Sequence, residues 1–305
     1  MHPSNPALED YLVLILLSAI WGASFLFLRI ASPAFGPFFL IEMRVASALL
    51  VLLPVCFILG KQQEIVANWR PILLLSLCNM SIPFCLLAYA ALSIGAGFAS
   101  IINATVPFFT AILAYTLWGQ RLSLVAIVGM VIGFFGVVLL MLEYTGSDLA
   151  SGSMLAVGAG ILGSAFYGLA INLMAQHLPK VSGVAVTTGS LLFSSIILLP
   201  LALWQMPTQM PTGPIWLSVL ALGILCTGFA FVLFYRLVGR IGSNLAVTNT
   251  FLIPLFSLFW GNLFLAEEIT LFMLFACTLV LTGVGLTTGS LKRLVNFSRA
   301  KLASK

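Results

Sequence analysis

Residues 95–122 read GAGFASIINATVPFFTAILAYTLWGQRL, and residues 242–269 read GSNLAVTNTFLIPLFSLFWGNLFLAEEI. Displaced by about 147 residues, Gly95 falls on Gly242, Ala99 on Ala246 and Pro107 on Pro254. The same displacement carries Ser123 onto Thr270 and Gly136-Val137 onto Gly283-Val284. A slightly smaller one sets Trp21-Gly22-Ala23-Ser24-Phe25 against Leu162-Gly163-Ser164-Ala165-Phe166, and Leu52-Leu53-Pro54 against Leu198-Leu199-Pro200. Two unrelated helices could share a glycine and a proline by accident. They would not keep small residues and prolines in order across half a chain. The sequence reads as a tandem duplication.

Apolar residues make up 61% of the chain and charged residues only 7%, with a mean hydropathy of +1.17. Soluble domains carry about a quarter charged residues, so this is the composition of a polytopic membrane protein. No charge occurs between Arg70 and Arg121, nor between Lys180 and Arg236. Each gap holds two spans of about 20 residues and a turn. Cys56, Cys78, Cys85, Cys226 and Cys277 lie inside apolar segments without a CxxC pair, which supports neither a disulfide framework nor a metal site. Glu9-Asp10 precedes the first apolar stretch where a cleaved leader would be basic.

Hydropathy and helix breakers predict an all-α fold of ten spans near 11–30, 37–59, 71–92, 97–118, 123–143, 152–175, 182–204, 214–236, 243–265 and 270–290. Ser123, Ser182 and Thr270 stand where N-caps are needed. With the N-terminus cytoplasmic, eleven basic residues fall inside: Lys61, Arg70, Arg121, Lys180, Arg236, Arg240 and five in the tail. Arg29 and Arg44 alone stay outside, with Glu42, Glu143, Asp148, Glu267 and Glu268. The positive-inside bias therefore predicts both termini in the cytoplasm. Five spans per copy is an odd number, so the second copy enters from the opposite face and the repeats are inverted. Inverted pairs are the usual framework for alternating access around a midplane site.

Trp21-Gly22-Ala23-Ser24-Phe25 in span one resembles the drug/metabolite transporter superfamily, in its EamA-like branch. Arg44 in span two, the paired prolines Pro107 and Pro254, and Glu267-Glu268-Ile269-Thr270 ahead of the last span carry the same resemblance. Gln120-Arg121 departs from it, because members often have a glutamate there. The resemblance implies a first five-helix repeat over 1–147, an inverted second over 148–290 and a basic cytoplasmic tail over 291–305. It implies a central cavity lined by spans one, three, four, six, eight and nine, with five and ten as packing elements. Members often export amino acids or related metabolites, so a carrier in a bacterial cytoplasmic (inner) membrane is expected.

Pro83, Pro107 and Pro254 fall near the middle of their spans and should kink them, freeing the carbonyls of Asn79, Asn103 and Thr250. An unsatisfied carbonyl in hydrocarbon costs several kcal/mol, so these elbows should face protein or a wet cavity. They either line the substrate site from opposite repeats or only tune helix packing. Trp21, Ser24, Ser81, Tyr167, Thr227 and Asn249 are further candidates for the wall. Trp21 and Tyr167 sit too deep for the interfacial belt, and their polar atoms need partners there. Any one Ser or Thr is as well read as a helix-packing residue. Glu42 and Arg44 lie towards the outer end of span two and read as vestibule or gate residues, and Arg29 as a snorkelling side chain. With no charge expected at the midplane, proton antiport and facilitated movement remain open alternatives.

No Gly-x-Ser-x-Gly elbow, no His-Glu-x-x-His and no paired carboxylates within a span occur, so the chain reads as a non-enzyme without cofactor. A nearly uncharged midplane with amides and aromatic rings suits a small zwitterionic or neutral organic solute, amino acids among them. A flippase for a lipid-linked intermediate, a drug or nucleoside efflux carrier and a passive channel are the alternatives. The expected partners are that solute and the bilayer, with no nucleic acid; monomer and homodimer are both open.

Overall fold

The computed structural model describes residues 7–145, 151–242 and 246–289. Among them every regular element is helical. Helix α1 (Leu8–Phe35) turns through the single residue Gly36 into α2 (Pro37–Ile58). The turn needs φ +72 at that position, which glycine adopts without strain. A short α3 (Gln62–Ala67) follows where the sequence suggested only a polar joint. Next come α4 (Trp69–Ser76), a π segment (Leu77–Ser81) and α5 (Ile82–Ala90), then α6 (Ala96–Asn103) and α7 (Val106–Trp118). After α8 (Leu124–Thr145) come α9 (Ser151–His177) and α10 (Gly183–Trp204). Helix α11 (Gly213–Leu220) runs through a second π segment (Ala221–Phe229) into α12 (Ala230–Ile241). A 3₁₀ turn (Val247–Phe251), α13 (Ile253–Leu265) and α14 (Leu271–Thr287) complete the described chain.

Eight of these helices, counting α4–α5, α6–α7 and α11–α12 as continuous runs, are long and apolar enough to cross a membrane. The sequence predicts ten spans. The last two helices are shorter than predicted, at 13 and 17 residues. The physical cause in α13 is Pro254, which occupies its first turn and cannot donate to the preceding carbonyl, so a 3₁₀ turn leads into a fresh helix. Residues 243–245 and the tail over 291–305 lie outside the described residues. The outward faces are strongly apolar: Ile58 is 83% exposed, Leu50 75% and Leu271 86%, as lipid contact requires.

All three predicted caps are present. The Ser123 hydroxyl accepts from the Ala126 amide at 3.1 Å, that of Ser182 from Ala185 at 3.4 Å, and that of Thr270 from Met273 at 3.0 Å. Helices α8 and α14 pack on one another through glycine. A methyl at Gly283 would stand 2.5 Å from the Gly129 carbonyl oxygen and 2.7 Å from the Gly133 Cα. The Thr287 hydroxyl crosses the same seam to the Ala126 carbonyl at 3.3 Å. Close backbone approach is what small-residue spacing supplies in a membrane, and here it operates within the chain. Gly283→Leu should therefore lower the yield of monodisperse protein in detergent, since backbone atoms cannot yield to the side chain. An unchanged melting profile would contradict this packing.

Helix α3 clips the two halves together. The Glu64 carboxylate accepts from Lys61 Nζ at 2.7 Å and, through Oε2, from the Ser182 backbone N–H at 2.7 Å. Lys61 first, and the Ser182 amide second, hold its carboxyl down at about 2 against an ordinary 4.5. The folded value lies below the unfolded one, so the clip's contribution is complete above about 4.5 and fades as pH falls toward 2. Half-exposed Lys61 keeps the effect modest. Thermal melts of Glu64→Gln should differ from wild type at pH 6 and converge with it near pH 2; a constant difference would exclude the clip.

Candidate functional site

The irregular backbone collects in one place. Residues 77–81 and 221–229 are π-wound, α6 stops at Asn103, and the chain re-enters α-helix at Ile253. Prolines account for part of this, because Pro83, Pro107 and Pro254 each occupy the first turn of a new helix segment. Proline is not the whole cause, since the second π segment runs into Ala230, at the position matching Pro83, without one. Non-helical carbonyls at membrane depth are tolerated only beside protein or a cavity.

A cavity of about 180 Å³ lies among these breaks, and its wall brings together Trp21, Ser24, Arg44, Asn79, Asn103 and Tyr167. An adjoining space of about 370 Å³ shares Trp21, Asn79, Asn103 and Tyr167 and adds Pro107, Thr250 and Pro254. Three residues expected in the wall, Ser81, Thr227 and Asn249, lie elsewhere. The Ser81 hydroxyl pairs with Ser194 at 2.9 Å, and Thr227 donates to the Leu222 carbonyl at 2.8 Å. Asn249 is buried beside α1, where its carbonyl accepts from Ser18 Oγ at 3.4 Å. Pro83 packs inside α5, and Glu42 is buried against α10. Helix α14, for which packing alone was expected, contributes Leu281 and Val284 to the larger space.

The charged residues of span two are buried. An uncharged midplane with Glu42 and Arg44 at an outer vestibule is the sequence expectation, yet only 3% of Glu42 and 6% of Arg44 is exposed. Hydropathy along α2 cannot register that its polar face is enclosed by α10 and the second π segment. Glu42 Oε1 accepts from the Ser195 hydroxyl at 2.5 Å, while Oε2 has no partner among the described residues. Arg44 Nε donates to Thr227 Oγ1 at 3.0 Å, and its guanidinium lies 3.6 Å above the centre of the Phe84 ring. Arg29 is partly buried. Its Nη1 donates to the carbonyls of Ala91 and Leu92, both at 2.8 Å, where α5 ends with carbonyls unpaired.

Contacts around the cavity recur at the repeat spacing. A methyl at Gly22 would stand 2.7 Å from Phe256 Cβ and 3.0 Å from the Ser257 nitrogen. At Gly168 it would stand 2.9 Å from Phe109 Cβ and 2.7 Å from the Thr110 nitrogen. Phe109-Thr110 and Phe256-Ser257 are repeat partners, so Trp21-Gly22 corresponds to Tyr167-Gly168 instead of to Leu162-Gly163. The hydroxyls agree: Ser18 donates to the Asn249 carbonyl and Ser164 to the Ile102 carbonyl at 3.2 Å. The rings agree as well, with Trp21 edge-on to Phe231 at 5.9 Å and Tyr167 edge-on to Phe84 at 6.2 Å. Phe84 and Phe231 were not singled out from sequence. They stand one repeat apart, a signal that was available. Glu267, in the motif that carries the resemblance, accepts from the Ala96 N–H at 2.9 Å and caps α6, so the loop ahead of the last helix is tied to the fourth span.

The profile of the EamA-like transporter family matches residues 10–142 and, again, residues 154–289. The chain belongs to the EamA-like transporter family. An uncharacterized transporter of Archaeoglobus fulgidus is 25% identical over 91% of this chain and 98% of its own. The uncharacterized transporter YvbV of Bacillus subtilis is 23% identical over 92% and 91%. A probable terminal-alkyne amino-acid exporter of Streptantibioticus cattleyicolor is 23% identical over 83% of this chain and 84% of its own. A protein crystal structure with 19% identity covers 92% of this chain and 97% of that one at a TM-score of 0.64, which shows a common fold. This EamA-like protein is thus a multi-pass membrane transporter.

Proposed function

We propose that the chain exports small organic metabolites, amino acids foremost, by alternating access through the cavity between two inverted five-helix repeats. The recurring aromatic pairs carry this reading: Trp21 with Phe231 and Tyr167 with Phe84 face one cavity from the two halves of the chain. A site built from equivalent parts can be exposed to either face by rocking one repeat against the other. Amides and rings side by side suit a solute with a polar backbone and an apolar side chain. The exporter of S. cattleyicolor handles solutes of that description by its name, and lends the proposal its direction.

Loop contacts support ten crossings with both termini in the cytoplasm. Arg240 pairs with Asp10 at 3.0 Å and Glu64 with the Ser182 amide, joining loops assigned to the basic face. The Phe38 amide donates to Gln205 Oε1 at 2.7 Å, and Glu267 caps α6, joining loops assigned to the other. No such contact joins loops of opposite assignment among those four. Bacterial and archaeal relatives fit a cytoplasmic membrane.

The test is counterflow in proteoliposomes with labelled amino acids, with and without an imposed pH gradient. Accumulation driven by unlabelled internal substrate alone establishes a carrier, and competition ranks the solutes. Acceleration by the gradient would assign proton coupling. Absence of counterflow for every amino acid would refute the amino-acid reading and direct the assay to drug-like and lipid-linked solutes.

A further inference from the structure

We propose that Arg44 seats a carboxylate of the transported solute, which makes an anionic or zwitterionic carboxylic acid the preferred substrate class. The proposal rests on reading the cavity as the solute site. Arg44 is more than nine-tenths buried, yet it forms part of the cavity wall. Nε is committed to Thr227, and one face of the guanidinium is covered by Phe84. Those two contacts fix the plane of the group and its direction. Neither neutralises it. None of the ion pairs among the described residues includes Arg44, and Glu42, two residues away, accepts from Ser195 on α10.

A largely buried guanidinium without an anion is costly, and a carboxylate offers two oxygens that match its remaining N–H groups. The solute can supply what the fold leaves out. The same cavity holds a complementary acceptor, since Asn103 Oδ1 is buried and has no partner among the described residues. That oxygen suits an ammonium, and the Trp21 and Tyr167 rings suit the side chain between them. The seat also breaks the symmetry of the cavity. At the displacement that sets Pro54 on Pro200, the residue matching Arg44 in the second half is Ser190, which is fully buried and uncharged, so only one pole of the site is cationic.

The experiment uses the full-length protein in proteoliposomes, with phenylalanine, phenylalaninamide and phenethylamine competing for counterflow of labelled phenylalanine. Wild type should be inhibited by the acid at least tenfold more strongly than by the amide or amine. Arg44→Gln should lose that discrimination, and Arg44→Lys, which keeps the charge without the fork, should keep only part of it. Thr227→Val, which removes the Nε acceptor together with the hydroxyl's bond to the Leu222 carbonyl, should weaken the acid by severalfold and leave the amide and amine unchanged. A wild type that treats acid and amide alike overturns the proposal without any variant, as does an Arg44→Gln protein that still discriminates. Counterflow of solutes lacking a carboxylate, with none for acids, overturns the seat but leaves the carrier reading intact. No counterflow for any solute overturns both.

Discussion

Gly168→Ala will lower the melting temperature of the detergent-solubilised protein sharply and remove transport, while Gly158→Ala will do neither. Both glycines lie on α9, and both gain the same methyl and the same helix propensity. They differ in what the methyl meets. At Gly158 nothing stands within 4 Å, whereas at Gly168 the nearest atoms are the Thr110 nitrogen at 2.7 Å and the Phe109 carbonyl carbon at 2.9 Å. Those are backbone atoms at the start of α7, directly after the break at Asn103, and they cannot rotate aside. Overpacking of this kind costs about 1–3 kcal/mol, and the strain falls on the elbow that shapes the cavity. Asn172 deepens the coupling by donating to the carbonyls of Thr110 and Gly168, both at 2.9 Å. Gly22→Ala should act alike against Phe256 and Ser257. Equal stability of the Gly158 and Gly168 variants would show that the helices can separate there without loss.

The pairing of Gly22 with Gly168 also shows where sequence reading succeeds and where it slips. The repeat over residues 95–122 is legible because proline and small residues mark fixed backbone geometry, and such marks survive in letters. Between spans one and six the letters mislead. Trp21-Gly22 resembles Leu162-Gly163 in composition, yet Gly163 meets its nearest neighbour only at 3.5 Å, an ordinary contact. Which glycine touches a backbone is a property of packing between helices far apart in sequence. The same limit hid Arg44. Its charge and place near the start of α2 suggested a vestibule, and only the docking of α2 against α10 and the second π segment puts it in the cavity wall. Of the polar candidates, Trp21, Ser24, Asn79, Asn103, Tyr167 and Thr250 line the two spaces. Ser81 and Thr227 turn into helix contacts, as the small-hydroxyl argument allowed, while the buried amide of Asn249 borders neither space and has no partner among the described residues.

The second large effect is expected at Asn103. Asn103→Ala should reduce transport about tenfold, the equivalent of about 1.4 kcal/mol, with membrane expression unchanged. Its side chain borders both spaces, its Oδ1 is unpartnered among the described residues, and it sits at the end of α6 where the chain stops being helical. Removing it deletes a solute contact without breaking one within the fold, so stability should hold while transport falls. Thr250→Ala tests the matching elbow of the second half; it borders only the larger space, and the reduction should be smaller. Asn103→Asp separates contact from shape. The two side chains are nearly isosteric, but the aspartate would place an anion in the cavity that holds Arg44 and would compete with a solute carboxylate for it. Transport of acids should then fall below that of the alanine variant. Wild-type rates in all three variants would show that the elbows shape the helices and take no part in holding the solute.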